Sequence, residues 1–246
     1  SSCAGAHPSV VLELSLSLPP TLDIYIGYDV AERVAYHVLS QSLIDHASRP
    51  VRITPIALST LSGLHGRPRV SQQSTDFSFS RFLTPFLSGY EGWSLFMDCD
   101  MLVRADIAEL FALADDRFAV MVAQHDYAPR DSVKFLGAQQ LPYPKKNWSS
   151  VVLFNNARCR ALTPDYVDTA SGLDLHQFRW LCGDEEIGAL PLEWNWLVGE
   201  YPANPAAKIA HFTRGGPYFA DYADCDHADE WRTALARTTG VAGSGA

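Results

Sequence analysis

Two carboxylates one residue apart, Asp98 and Asp100, close an apolar run that reads Trp93-Ser94-Leu95-Phe96-Met97-Asp98-Cys99-Asp100. In an open α/β sheet, ligands sit beyond the carboxyl ends of the strands. Paired carboxylates at such an edge supply the hard oxygen atoms that Mg²⁺ and Mn²⁺ prefer, and those ions commonly accompany phosphates. The stretch therefore predicts a site for a divalent metal with a phosphate-bearing ligand. Spacing alone does not carry that reading. With 19 Asp in 246 residues, chance placement yields roughly one or two Asp-x-Asp triplets, and a second is present, Asp224-Cys225-Asp226. No apolar strand precedes that copy, which reads as a solvated turn leading into a helix.

Other residues along the chain have chemistry that suits the same ligand. Gly27-Tyr28-Asp29 follows an apolar run. It is not a Gly-x-Gly-x-x-Gly fingerprint, so a dinucleotide site is not expected. Gly27 lets a planar base approach the backbone, Tyr28 offers a ring to stack on it, and Asp29 is either a base acceptor or a helix N-cap. Arg81 stands among Phe77, Phe79, Phe82 and Leu83, where a guanidinium is either paired or aimed at an anion. His211 ends a short apolar run before Arg214-Gly215-Gly216-Pro217. A lone His is commonly structural, but a Gly-rich turn beside an Arg suits a diphosphate.

These residues need a frame, and the pattern supplies an α/β one. Residues 22–27 read as a buried strand, and Asp29 with Glu32 forms a capping-box pattern for a helix to about His46. Val51-Arg52-Ile53 and Pro55–Leu58 supply the next strand, completing a βαβ unit. Residues 59–76 read as a loop, Ser78–Ser88 as a helix broken at Pro85, and 93–98 as the acid-tipped strand. A short helix capped by Asp106 follows, then strands at Phe118–Ala123 and Val151–Phe154, and a helix opened by Thr163-Pro164. Residues 125–147 read as a long loop of the kind that is often functional. Residues 184–201 are mixed and aromatic, Lys208–Phe212 is a short strand, and a helix spans about 227–237. Alternating Leu12, Leu14, Leu16 and Leu18 make residues 1–20 an extension or edge strand. One domain is expected over 21–240, with a flexible tail at 241–246.

Composition bounds the function. A 47% hydrophobic, 19% charged chain is globular. A formal net charge of −9 argues against nucleic acid or an anionic lipid surface as partner. Five scattered Cys without a Cys-x-x-Cys pair fit reduced thiols in the cytoplasm rather than structural zinc. No run approaches a membrane span, and the first residues lack the basic and apolar regions of a signal peptide.

In order, these motifs resemble the small GT-A fold glycosyltransferases related to family 8. In that group a nucleotide-binding strand and turn precede an Arg-bearing helix, an apolar run into Asp-x-Asp and an Asn-bearing strand. An acidic element, Trp-Asn and a late His with a Gly/Pro turn follow. Here they are Ile24 to Asp29, Arg81, Asp98-Cys99-Asp100, Trp148 to Asn155, Asp184-Glu185-Glu186-Ile187, Trp194-Asn195 and His211 to Pro217. Ser78–Phe82, Lys146–Ser150 and Trp194–Tyr201 also resemble a bacterial and phage subgroup of glycosyltransferases.

The resemblance implies a single Rossmann-like domain with a mixed, mostly parallel central sheet flanked by helices. It implies Asp98, Asp100 and His211 as ligands of Mn²⁺ or Mg²⁺. Gly27, Tyr28, Asp29 and Arg81 would hold the nucleotide-sugar donor, a UDP-sugar, with Arg214, Gly215 and Gly216 facing its pyrophosphate. Asp184 and Glu185 would face the reacting side of the sugar, which passes to a glycan or other hydroxyl acceptor with retention. Glu185 departs from the usual Gln there, which opens the stereochemistry.

Two rivals stand beside it. Haloacid-dehalogenase-like phosphatases also place Asp-x-Asp after an apolar strand, the first Asp as nucleophile. Their motif usually opens the fold, whereas a full strand–helix–strand precedes Asp98 here. The other rival is a sugar-nucleotide-binding module without catalysis. Trp93, Trp180 and Trp231 read as packing residues, Trp148, Trp194 and Trp196 as packing or sugar-stacking residues, and Cys99 as buried filler.

Overall fold

Leu22–Gly27 forms strand β1, with Ile24 and Ile26 fully buried. In the computed structural model, which describes residues 21–68, 73, 75–126 and 144–240, β1 lies between two parallel neighbours. These are β2 (Val51–Ile56) and β3 (Trp93–Met97). Strands covered on both faces read as near-continuous apolar runs, which is why 22–27 and 93–97 were visible in the sequence. The expected strand at 10–18, nearly all of the long loop and the tail lie outside the described residues.

The central sheet continues with β5 (Val120–Ala123), β6 (Val151–Asn155) and β7 (Ile187–Leu190), in the order β2-β1-β3-β6-β5-β7. Only β6 runs against the others. The result is the mixed, mostly parallel sheet expected. Pro55 sits inside β2, tolerated because an edge strand can spare the ladder N–H that proline lacks.

A second sheet, absent from the sequence reading, joins β4 (Met101–Val103), β9 (Ile209–His211) and β8 (Trp196–Leu197) in the order β4-β9-β8. Of its strands only β9 was expected, within Lys208–Phe212; β4 and β8 are too short to leave a periodicity, and β4 finds its partner more than a hundred residues later.

Helices flank the large sheet: α1 (Arg33–His46), α2 (Thr84–Leu87), α3 (Ile107–Phe111), α4 (Pro164–Thr169), α5 (Gly172–His176) and α6 (Ala228–Thr239). Asp106 and Thr163 cap α3 and α4 as expected, whereas Asp29 caps the 3-10 turn Val30–Glu32 ahead of α1, which has no side-chain cap, and the Glu32 side chain accepts from Tyr218 instead of closing a capping box. Asp29 Oδ1 accepts from Ala31 N at 2.8 Å, Asp106 Oδ1 from Ala108 N at 3.0 Å and Thr163 Oγ1 from Tyr166 N at 3.2 Å. The break at Pro85 is also present: a 3-10 turn at Ser80–Leu83 passes into α2, with the proline in its first turn. There the missing N–H costs nothing.

The main core joins both faces of the sheet around Phe77, Phe82, Phe96 and Phe154. Each such side chain contributes roughly 1.5–3 kcal/mol of burial. A smaller cluster of Val38, Leu102, Phe212 and Trp231 fastens α1 and α6 to the second sheet, and Ser42 Oγ of α1 accepts from Val103 N at 3.1 Å.

The glycine that ends β1 is fixed by packing. A Cβ at Gly27 would fall 2.3 Å from the buried ring of Phe77. Gly27→Ala should therefore cost about 1–3 kcal/mol through overpacking, read as a lowered urea midpoint. An unchanged midpoint would mean that the ring yields freely.

Candidate functional site

The chain leaves β3 at Met97 and turns, with Asp98 N donating to Ser150 O at 2.9 Å. Asp100 then enters β4, its carbonyl accepting from Phe212 N at 2.8 Å. Antiparallel pairing sets Met101 opposite His211, so the imidazole arrives beside the acidic pair. Ligand atoms of Asp98, Asp100 and His211 all lie within 4.8 Å of one another, with His211 Nε2 3.4 Å from Asp100 Oδ1. Two carboxylates and one imidazole form a donor set that fits Mn²⁺ or Mg²⁺. The three residues proposed as ligands are thus brought together by backbone pairing across the two sheets.

Arg81 takes the paired option. Its Nη1 lies 2.7 Å from Asp98 Oδ1 and donates to Ser149 O at 2.8 Å, while Nε donates to Ser78 O at 3.2 Å. The guanidinium lies beside the adjacent rings of Phe77 and Phe96, 5.3 and 5.1 Å from their centres, an arrangement favourable to a buried cation.

Acidic groups crowd the same edge. Both oxygens of the buried Asp29 accept backbone N–H groups, from Ala31 at 2.8 Å and Asp76 at 2.9 Å. The cap role is therefore present, joined to a second, bridging one. Buried Glu32 accepts the Tyr218 hydroxyl at 2.6 Å. Burial, then the charges of Glu32 and Asp100, hold the Tyr218 phenol well above its ordinary range. Burial and the same acids push the Cys99 thiol up, so Cys99 stays a neutral filler between its acidic neighbours.

The glycines proposed to face the ligand are covered by aromatic rings. Phe77 lies over the Cβ position of Gly27, Tyr222 over that of Gly215 and Tyr218 over that of Gly216, each within 2.4 Å. Gly215 also has φ of 139°, which excludes a side chain independently. A ligand can meet these residues only through their backbone. Tyr28 is half-buried, edge-on to Tyr36 at 5.4 Å, and Arg214 Nη1 donates to Gly199 O at 3.4 Å.

Asp184 and Glu185 are not drawn into the metal cluster. Their turn precedes β7, and Glu186 O accepts from Ala119 N just before β5. The register places Met97 level with Val151, while Ile187 is level with Val120 and Phe154. The turn therefore starts at the sheet edge opposite Asp98. Asp184, largely exposed, is held by Lys145 Nζ at 2.5 Å.

Asn195 was named in the sequence without a role, and His125 and His176 were not named, because their roles depend on pairing between distant segments. Asn195 Oδ1 lies 2.8 Å from His211 Nδ1. His125 Nδ1 lies 2.9 Å from the Tyr201 hydroxyl, and burial, helped by His211, pulls its pKa down to about 3. His176 lies 2.7 Å from Ser149 Oγ and is also lowered to about 3, by burial and then by Arg81 and Arg67. Lys145 and Asn147 both have φ of 62°, backbone strain that gathers at functional sites.

Protein CDI of Arabidopsis thaliana is 49% identical to the chain over 217 residues, covering 85% of this chain and 83% of that protein. The chain belongs to the family of Protein CDI. No protein-family model matches it.

Among solved structures, the WbbM bifunctional glycosyltransferase aligns with a TM-score of 0.62 at 16% identity, over 89% of this chain. The Streptococcus pneumoniae glycosyltransferase GlyE aligns at 0.60 and 15%, over 88%. The chain spans only 51% of the WbbM chain and 60% of the GlyE chain. The galactosyltransferase LgtC, in complex with donor and acceptor sugar analogues, aligns at 0.55 and 11%, over 90% of this chain and 98% of its own. At these identities the likeness is one of fold, and the fold is GT-A. No helix among the described residues is long and apolar enough to cross a membrane.

Two outcomes follow from the buried groups. Arg81→Met removes one partner of a buried ion pair and should cost about 3–5 kcal/mol of stability. A double-mutant cycle with Asp98→Asn should recover part of that loss, and strict additivity of the two changes would disprove the coupling. For His176, a folded pKa near 3 against an unfolded value near 6.5 means that the unfolded chain binds more protons between those values. The stabilisation is complete above the unfolded value and is lost as pH falls toward the folded one. The urea midpoint of the wild type should fall relative to that of His176→Gln across this window. A constant difference would exclude a buried neutral imidazole.

Proposed function

We propose that the chain is a metal-dependent glycosyltransferase that moves a sugar from a nucleotide-diphosphate donor, a UDP-sugar, to a hydroxyl of a glycan or other acceptor, with retention. The observation that carries this reading is the meeting of Asp98, Asp100 and His211 beyond the end of β3 on a GT-A fold. The described and neighbouring segments from 21 to 240 act in this reading as one transferase domain.

Glycosyl transfer builds negative charge on the departing diphosphate. A divalent cation held by the three ligands supplies positive charge against it. Arg81 orients Asp98, and it adds a second positive charge at the same edge. Tyr28 offers a ring to the base, and the backbone at Gly27, Gly215 and Gly216 borders the nucleotide. Arg214 beside that turn complements the diphosphate. With retention, the departing phosphate accepts the proton of the acceptor hydroxyl, so no carboxylate is required as base. Asp184, bound to Lys145, holds the approach through residues 144–148 in this reading, and Glu185 stays at the solvent edge. The phosphatase reading requires a free nucleophile at the first Asp, and the Arg81 ion pair with Asp98 opposes it.

A thermal-shift screen of nucleotide sugars with and without Mn²⁺ tests the proposal. A donor at a hundred times its Kd should stabilise the fold by about 2.7 kcal/mol, and only when metal is present. Asp100→Ala should abolish the shift while leaving the metal-free melting temperature near that of the wild type. Undiminished UDP binding with Mn²⁺ by that variant would refute the site, and metal-dependent turnover of an aryl phosphate would restore the phosphatase.

A further inference from the structure

The amide of Asn195 is fully buried and stands between two partners. On one side Oδ1 meets His211 Nδ1 at 2.8 Å. On the other, Nδ2 donates to Ser150 Oγ at 2.9 Å and to Asn147 O at 3.3 Å. The direction of every proton in this chain follows from its end. A backbone carbonyl only accepts, so Ser150 Oγ, 2.7 Å from Asn147 O, must donate to it. Having spent its one proton, the Ser150 hydroxyl accepts from Asn195, which fixes the Asn195 nitrogen on that side. The Asn195 oxygen then faces His211 and can only accept. His211 Nδ1 therefore carries hydrogen, and in the neutral imidazole the lone pair falls on Nε2, the atom beside Asp100.

We propose that Asn195, held by Ser150 and Asn147, is a positioning residue that fixes His211 as its Nδ1–H tautomer and so presents Nε2 to a divalent cation. The inference rests on the metal-site reading above and adds the group that prepares the ligand. It also explains a motif that the ligand set did not absorb, the Asn of Trp194-Asn195, together with the left-handed backbone at Asn147 (φ 62°) that turns its carbonyl into the network. Ligating histidines typically have the second ring nitrogen fixed in this way, and loss of the fixing partner typically costs 10–100-fold in metal affinity.

Long-range proton–nitrogen correlation spectra of the ¹⁵N-labelled, metal-free full chain, recorded above the histidine titration range, read the tautomer directly. The His211 signals are identified by their loss in His211→Ala. A single Nδ1–H form supports the proposal, and a mixed or Nε2–H form overturns it. Mn²⁺ affinity without donor, measured by electron paramagnetic resonance, should fall 10–100-fold in Asn195→Ala and by less in Ser150→Ala, which retains the Asn147 acceptor. Unchanged affinity in a folded Asn195→Ala overturns the proposal. Should that variant not fold, the wild-type spectrum and Ser150→Ala decide. These readouts are separate from glycosyl transfer. A fixed tautomer in a chain that turns over no sugar nucleotide would sink the transferase alone, whereas transfer with a mixed tautomer would sink only this inference.

Discussion

One buried cation makes the acidic edge of this sheet possible. Asp29, Glu32, Asp98 and Asp100 converge near the carboxyl ends of β1 and β3, and all but Asp98 are nearly inaccessible to water. Carboxylates packed this closely repel one another strongly once solvent is excluded. Arg81 meets Asp98 at 2.7 Å beside two phenylalanine rings, and its Nε and Nη1 also donate to the carbonyls of Ser78 and Ser149. A lysine could not span these acceptors, because the planar guanidinium alone offers several donors in a fixed fork.

The antiparallel strand β6 ties this pair to the rest of the site. Because β6 runs against β3, the segment that feeds it, Asn147–Ser150, arrives at the same edge from which β3 leaves. Ser149 O receives Arg81, Ser150 O receives Asp98 N, and Ser150 Oγ receives Asn195. One short stretch thus contacts Asp98, its partner Arg81 and the Asn195 that supports His211. A parallel strand in that position would have delivered its first residues to the opposite edge.

Local signals in the sequence were sufficient for much of the frame. Apolar runs marked β1 and β3, Asp106 and Thr163 announced the helices they cap, and Asp29 announced the 3-10 turn that leads into α1, because each such signal lies within a few residues of what it specifies. His211 was located by company rather than by pattern, since its approach to Asp100 depends on the pairing of β4 with β9. Asp184 and Glu185 were named by their order along the chain, and order does not say at which edge a residue emerges. That is set by the register of β7, four residues with a glycine inside, and by the bond of Asp184 to Lys145. Gly27, Gly215 and Gly216 were read as backbone that a ligand could approach; the rings of Phe77, Tyr222 and Tyr218 that pack on the Cβ side of each are not spelled out by those local motifs.

The two Asp-x-Asp triplets show what spacing lacks. Asp224 is fully exposed, 3.8 Å from Arg232 at its nearest, and its triplet lies in turns before α6. Asp98 and Asp100 have the same spacing and the same intervening cysteine. They differ because β3 and β4 hold the backbone on either side of them in two different sheets. That constraint fixes the direction of each carboxylate before any ligand arrives, and it brings an imidazole from elsewhere in the chain. A solvated triplet would lose side-chain freedom on gripping a cation, whereas the triplet at 98–100 has already lost it on folding. The preorganisation of this edge is therefore a property of the sheet junction more than of the acids themselves.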